Sequence, residues 1–151
     1  AVELAPKIES EINKLPLSRM AVYAQINFAQ NLARLKQKLT TDTNSWLNIA
    51  QLLAKATEQA QSLEDKRAES YAKGTLGWLY EQTGQLNNAK SLTEKSLFLA
   101  QSIEASDISY QWEWQLGRLL KAEGNTKLAI SYYEQAIKTL QLLRKDLVAI
   151  N

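Results

Sequence analysis

The chain copies itself. Residues 60–77, AQSLEDKRAESYAKGTLG, align without a gap on residues 100–117, AQSIEASDISYQWEWQLG, at a separation of 40. Ala60, Gln61, Ser62, Glu64, Leu76 and Gly77 recur as Ala100, Gln101, Ser102, Glu104, Leu116 and Gly117. The same separation carries Leu79 to Leu119, Gly84 to Gly124 and Ala89 to Ala129. Extended backwards, it pairs Ile49, Leu53, Ala56 and Leu63 with Ala89, Thr93, Ser96 and Ile103. A period of this length confines the chain to architectures in which one supersecondary unit stacks on its own copies.

Each period divides at a glycine into two helical stretches. Ala129, Tyr133, Ala136, Leu140, Leu143 and Leu147 step by three and four, as do Ala89, Leu92, Ser96, Leu99 and Ile103, so each stretch is a helix with one buried face. Gly84 and Gly124 end the preceding patterns where a left-handed cap suits glycine, and the next helix resumes within about two residues, which makes consecutive helices antiparallel. Only 2 prolines and 5 glycines in 151 residues leave too few turns for a sandwich or barrel. The spacing predicts an all-α chain of about seven helices, near 3–15, 18–38, 45–63, 66–83, 86–104, 107–123 and 126–148. Residues 37–45 form the longest expected loop. Pro6 suits a first helical turn, Leu15-Pro16-Leu17-Ser18 reads as a break with a cap, and Asp42-Thr43-Asn44-Ser45 and Ser106-Asp107 offer further N-caps.

Composition narrows the chemistry. The sequence has no histidine and no cysteine, which removes most zinc, haem and iron-sulfur ligation, thiol nucleophiles and imidazole bases, so no catalytic, metal or cofactor site is expected. A net charge of +2 from 18 basic and 16 acidic residues is far from a nucleic-acid-binding surface. The apolar runs are too short to span a bilayer and the start is unlike a signal peptide, so a cytoplasmic location off the membrane is expected. A start at Ala1 and an end soon after Leu-Val-Ala-Ile suggest a segment of a longer protein.

Leu76-Gly77, Tyr80, Gly84, Ala89 and Ser96, followed by Leu116-Gly117, Leu120, Gly124, Ala129, Tyr133 and Ala136, resemble the tetratricopeptide repeat. The second copy matches the family pattern at nearly every position. The first departs at Thr93 and Ser96, where looser packing is expected. Phe28-Ala29 followed by Leu32 looks like a further first helix whose partner starts about eight residues late. The family period is about 34 residues, so 40 implies helices roughly a turn longer. The resemblance implies a right-handed α-solenoid of antiparallel helix pairs: one domain over 1–151, with units near 18–63, 66–104 and 107–148 and residues 1–15 as a leading helix.

More narrowly, YYEQAIKTLQLLRKDLVAIN and SRMAVYAQINFAQNL look like segments of cyanobacterial tetratricopeptide arrays, the first being similar to the stretch that joins such an array to a CHAT domain, a caspase-like peptidase fold. The implied function is a non-enzymatic scaffold whose groove binds a peptide or a partner domain. Its alternative is a structural or regulatory spacer packed against a CHAT-type domain of the same chain.

By the family's geometry, the first helix of each pair lines the concave side. That places Tyr71, Gly74, Trp78, Glu81 and Gln82 in the groove, with Gln111, Trp114, Gln115, Arg118 and Lys121 beside them and Asn27, Gln30 and Arg34 extending the row. Arg118 and Lys121 share a helix face and are candidates to clamp a carboxylate, against the plainer reading of two solvated charges. Trp46, Trp78, Trp112 and Trp114 all have core packing as the alternative to ligand contact. Trp112 and Trp114 lie about 200° apart on a helix, so one of them faces the groove or solvent. Glu64 with Asp65 reads as a helix cap rather than an acid-base pair, and of Tyr132 and Tyr133 one is expected to pack and the other to sit at the flank. Mid-helix Ala29, Gly77 and Gly117 are expected where a neighbouring helix approaches closely, since glycine there costs on the order of 1 kcal/mol against alanine.

Overall fold

A computed structural model describes residues 4–39 and 43–150. Among them lie seven helices and no strands: α1 (Ala5–Asn13), α2 (Arg19–Leu39), α3 (Thr43–Ser62), α4 (Lys66–Gln82), α5 (Leu86–Ser102), α6 (Ser106–Glu123) and α7 (Thr126–Ile150). The expected helices are all present. The expected 37–45 loop is mostly helix, because α2 runs to Leu39 and α3 begins at Thr43. The proposed cap residue Asp42 lies outside the described residues, and Asn44 and Ser45 fall inside the first turn of α3.

Local chemistry accounts for most helix ends. Pro6 stands at the start of α1, and Ser18 Oγ accepts from the Ala21 amide at 3.1 Å to open α2. Asp65 caps α4, its carboxylate accepting from the Ala68 amide at 3.0 Å, which is the capping role read for it. Asn125 Oδ1 accepts from the Leu128 amide at the start of α7. At α6 the cap expected at Ser106-Asp107 is absent: Ala105 holds that position without a side-chain bond, and Asp107, in the first turn, pairs with Arg67 instead. Gly124 ends α6 with φ of 90°, and Gly84 follows α4 with φ of 79°, both left-handed as expected. The alternate turns put Glu64 (φ 53°) and Glu104 (φ 55°) in the same region. The 40-residue period therefore extends to the backbone of the turns.

Successive helices joined by turns of about three residues pack as antiparallel pairs, with α4 on α5 and α6 on α7 as the most extensive contacts. Beyond neighbours in sequence, α2 touches α4 and α4 touches α6, whereas α3, α5 and α7 do not touch one another. Alternate helices thus converge along one side and splay on the other, which makes the α2, α4, α6 side the inner one of an all-α solenoid. The core runs along the seams. One cluster holds Val22, Ile26, Ile49, Leu53, Leu76 and Leu79 with interleaved alanines, and a second holds Leu97, Ala100, Ile108, Trp112 and Leu116.

The register of the early unit differs from the expected one. The paired turns at Glu64 and Glu104 keep α3 and α5 at a separation of 40. Side-chain bonds from α2 to α4 span 41 to 45 residues (Tyr71 to Gln30, Gln30 to Thr75), while those from α4 to α6 span 37 to 42 (Arg118 to Glu81, Trp112 to Ser70). The difference is about four residues, one helical turn. Leu32-Ala33, rather than Phe28-Ala29, thus lies level with Leu76-Gly77. The extra turn accounts for four of the eight residues by which α2 looks out of step in the sequence alone, and the shift from Phe28-Ala29 to Leu32-Ala33 accounts for the other four.

Candidate functional site

The inner side carries a hollow of about 290 Å³ bounded by Gln30 and Arg34 of α2, Thr75 and Trp78 of α4, and Tyr110, Gln111, Trp112, Trp114, Gln115 and Arg118 of α6. Toward the helix N-termini it adjoins a second depression, sharing Gln111 with it and lined also by Tyr23, Asn27, Arg67, Tyr71, Asp107 and Ile108. Three parallel helices contribute one residue per turn, so the floor is a grid with aromatic and amide groups in its middle rows and ion pairs across it.

Of the thirteen residues read as lining the groove, Gln30, Arg34, Trp78, Gln111, Trp114, Gln115 and Arg118 line the main hollow, and Asn27, Tyr71 and Gln111 line its extension. Gln82 lies outside both and accepts a bond from Gln37 at 2.9 Å. Lys121 is exposed and also lies outside both. Glu81 does not line the hollow directly; it holds Arg118.

Several side chains are already committed. Arg118 Nε and Nη2 each donate to Glu81 at 2.8 Å, a two-bond fork. Of the two readings of Arg118, carboxylate clamp or solvated charge, neither describes its resting state, because the guanidinium is taken by its own chain's carboxylate. Arg67 pairs with Asp107 in the same cross-helix manner, and the bond from the Arg67 guanidinium holds the Asp107 carboxyl below its ordinary value. Gln115 is buried, its Nε2 donating to the Gly74 carbonyl at 3.0 Å and to Thr93 Oγ1 at 2.7 Å, so its amide ties α6 to α4 and α5. Tyr71 donates its hydroxyl to Gln30 Oε1 at 3.0 Å, and Gln30 donates onward to Thr75. Arg34 has no ion-pair partner among the described residues.

The two neighbouring tryptophans separate as the helical arc requires. Trp112 is 3% exposed and Trp114 44%. Trp114 packs on the Tyr133 ring at 4.7 Å between centroids, which steadies it while leaving one face open. Trp112 donates from Nε1 to Ser70 Oγ at 3.0 Å, and Ser70 donates to the Ser96 carbonyl at 2.6 Å. The looser packing expected at Thr93 and Ser96 is not found: both are fully buried, and Thr93 bonds to Ala89 and Gln115. Small polar residues fill this seam because each hydroxyl has a partner there.

Gly74, read as a groove residue, is instead the seat of Trp112, whose ring a Cβ at 74 would overlap. At Gly77 the close approach expected is real: an added Cβ would meet Thr93 Oγ1 at 2.8 Å and the Ala89 carbonyl oxygen at 3.2 Å. At Gly117 the space belongs to a ring rather than a backbone, since a Cβ there would stand 2.5–2.9 Å from Tyr133 ring atoms. Tyr132 and Tyr133 are both half-buried, Tyr132 against the α5–α6 cluster and Tyr133 over Gly117, so neither stands free at the flank. Reading the sequence underrates Trp112 and Thr75; the signal for Trp112 is the mid-helix glycine at 74.

The described residues contain no group of three or more potential metal ligands and no helix long and apolar enough to cross a membrane. A tetratricopeptide repeat profile matches residues 70–102 and 114–139. No curated protein matches the sequence. Among solved structures, the tetratricopeptide repeat domain of Arabidopsis FLU is similar at 16% identity and a TM-score of 0.67, over 80% of this chain and 95% of that one. BtubC (BKLC) from P. vanneervenii is similar at 22% identity and a TM-score of 0.71, over 94% of this chain but 55% of that one. At such identities the likeness is one of fold. Two tetratricopeptide repeats are thus matched within α4–α7, and with a third helix pair in the same stack the chain has the all-α solenoid fold of tetratricopeptide repeat domains.

Proposed function

We propose that the groove on α2, α4 and α6 receives an extended segment of a partner protein and that the chain is a non-enzymatic scaffold. The supporting observation is the pairing of Trp78 and Trp114 across a hollow of about 290 Å³, a size that suits one large side chain rather than a cofactor. Trp114 keeps an open aromatic face, Gln111 lies between the two depressions, and Arg34 stands at the rim. Aromatic anchors with an amide and arginine rim are the composition of binding hot spots. The Arg67–Asp107 and Arg118–Glu81 pairs neutralise most of the floor, so the reading favours a segment that inserts an apolar or aromatic side chain rather than a strongly charged tail.

The test is selection of linear peptides against the chain, followed by titration of a selected peptide on Trp78→Ala and Trp114→Ala. Each variant loses at least about ten-fold in affinity while its melting temperature stays within a few degrees, because the removed side chains are partly exposed. Affinity unchanged in both variants overturns the reading. The alternative, a spacer packed against a caspase-like CHAT domain of the same polypeptide, draws on the wording of residues 132–151. It is distinguished by a groove that takes no peptide in trans, with the same variants altering stability instead.

A further inference from the structure

The 40-residue period sets one junction between units against the next. At the α5–α6 junction the chain closes the gap itself: the Lys90 side chain reaches from α5 to the end of α6, where Nζ donates to both Glu123 oxygens at 3.0 and 3.2 Å. At the α3–α4 junction the equivalent positions are Ala50 and Thr83, which can form no such bridge. A pocket of about 440 Å³ lies there instead. Trp46, Leu47 and Ala50 of α3 face Leu79 and Tyr80 of α4 across it, with the exposed Thr83 and Gln85 completing the wall. It shares no residue with the groove, since Tyr80 lies about 200° round the helix from Trp78.

We propose that this pocket binds a small uncharged molecule with an unbranched alkyl chain. The next unit fills the same place with the straight stem of Lys90, so the fold accepts a chain of that shape between the two helices. Trp46 and Tyr80 stand where that unit has Leu86 and Leu120, which gives the chain broad apolar walls. The ammonium of Lys90 needs Glu123, whereas no charged residue lines the α3–α4 pocket, so an ionic group finds no counter-ion there. Thr83 and Gln85 offer polarity without charge, Gln85 Nε2 donating to Thr83 Oγ1 at 3.3 Å. The volume falls in the small-ligand range of about 300–1,000 Å³. Beyond Leu47 and Leu86 the adjoining turns expose Asn48, Gln51, Asn87 and Asn88. That leaves far less apolar surface than the roughly 800 Å² per partner of a stable protein interface, so the occupant is a small molecule rather than another protein.

The probe is hexan-1-ol, titrated into the chain and followed by amide NMR shifts. It moves the amides of Leu47, Ala50, Tyr80 and Thr83 with a Kd on the order of 1 mM, the strength that about five buried methylenes give. Gln111 and Trp114 stay in place, so the result is independent of whether the groove takes a peptide. Hexylammonium binds at least about five-fold more weakly, and Thr83→Glu, which supplies the missing carboxylate, reverses that order. Ala50→Lys with Thr83→Glu rebuilds the bridge of the next unit and abolishes the hexan-1-ol shifts with the thermal melt retained. Ala50→Met blocks the probe by filling alone, without any charge. No shift at these amides up to about 20 mM, shifts that persist in both filled variants, or equal binding of the two probes overturns the proposal.

Discussion

Glycine at position 74 gives up helix propensity so that an indole can lie where its side chain would be. Alanine there gains about 1 kcal/mol of intrinsic propensity yet forces the Trp112 ring off its bond to Ser70, and overpacking of a dense seam costs about 1–3 kcal/mol. Gly74→Ala is therefore expected to lower stability by roughly 1–2 kcal/mol in urea titration, the opposite sign from a mid-helix Gly→Ala with open space. A second residue-scale conflict sits at Glu113. It is buried on α6 with Thr139 of α7 as its hydrogen-bond partner, and burial raises its carboxyl above the ordinary value while the Thr139 hydroxyl pulls partly the other way. The folded chain thus holds this proton more tightly than the unfolded chain does. The contribution is fully present below the ordinary carboxylate range, near pH 4, and is lost as pH rises through the raised value. Glu113→Gln removes that loss: stability rises by on the order of 1 kcal/mol at pH 7, and the gain shrinks toward zero as melts are repeated down to about pH 4. A gain independent of pH disproves the assignment.

At the scale of the element, the helices differ in how they are held. α4 and α6 are tied into the stack by buried groups on both neighbours: Ser70 to α5, Gln115 to α4 and α5, Trp112 to α4. The ion pairs beside them contribute less, since Arg67–Asp107 is about half exposed on both sides and surface pairs give about 0–1 kcal/mol. α1 is the opposite case. It buries no residue, packs on α2, and is joined to α3 by one exposed bond, from Lys55 Nζ to Asn13 Oδ1 at 3.1 Å. Its amides are expected to exchange with solvent orders of magnitude faster than those of α4 and α6. Removing residues 1–14 should shift the melting temperature by no more than about 2–3 °C. A shift beyond 10 °C would mean that α1 caps the stack in a way its burial does not reveal.

At the scale of the molecule, the solenoid is built by a period, and the period is legible because it is written in several ways at once. Leu76-Gly77 and Leu116-Gly117, the turn glycines Gly84 and Gly124, and the alanines 89 and 129 all return after 40 residues, so the helix count and the antiparallel pairing follow from local spacing, while the inner row of helices follows from the resemblance. The early unit is misread from sequence because it is one helical turn longer than the later ones, and no repeated residue marks the addition. The site is half legible. Helical arc alone requires Trp112 and Trp114 to part company, and the row from Trp78 to Arg118 is traceable by steps of three and four. Which tryptophan stays open and which is buried depends on what lies across the seam. So does the commitment of the Arg118 guanidinium to Glu81 rather than to a ligand. Those outcomes are contacts between residues 37 to 42 positions apart, and no local pattern encodes which donor meets which acceptor when three helices converge. The sequence by itself determined the unit, its length and the antiparallel pairing within it, because propensity and periodicity act within one helix and short turns reverse the chain. Tertiary packing alone decided the polar network and the open aromatic face, because desolvated side chains must each find a partner, and the partner is supplied by another copy of the unit.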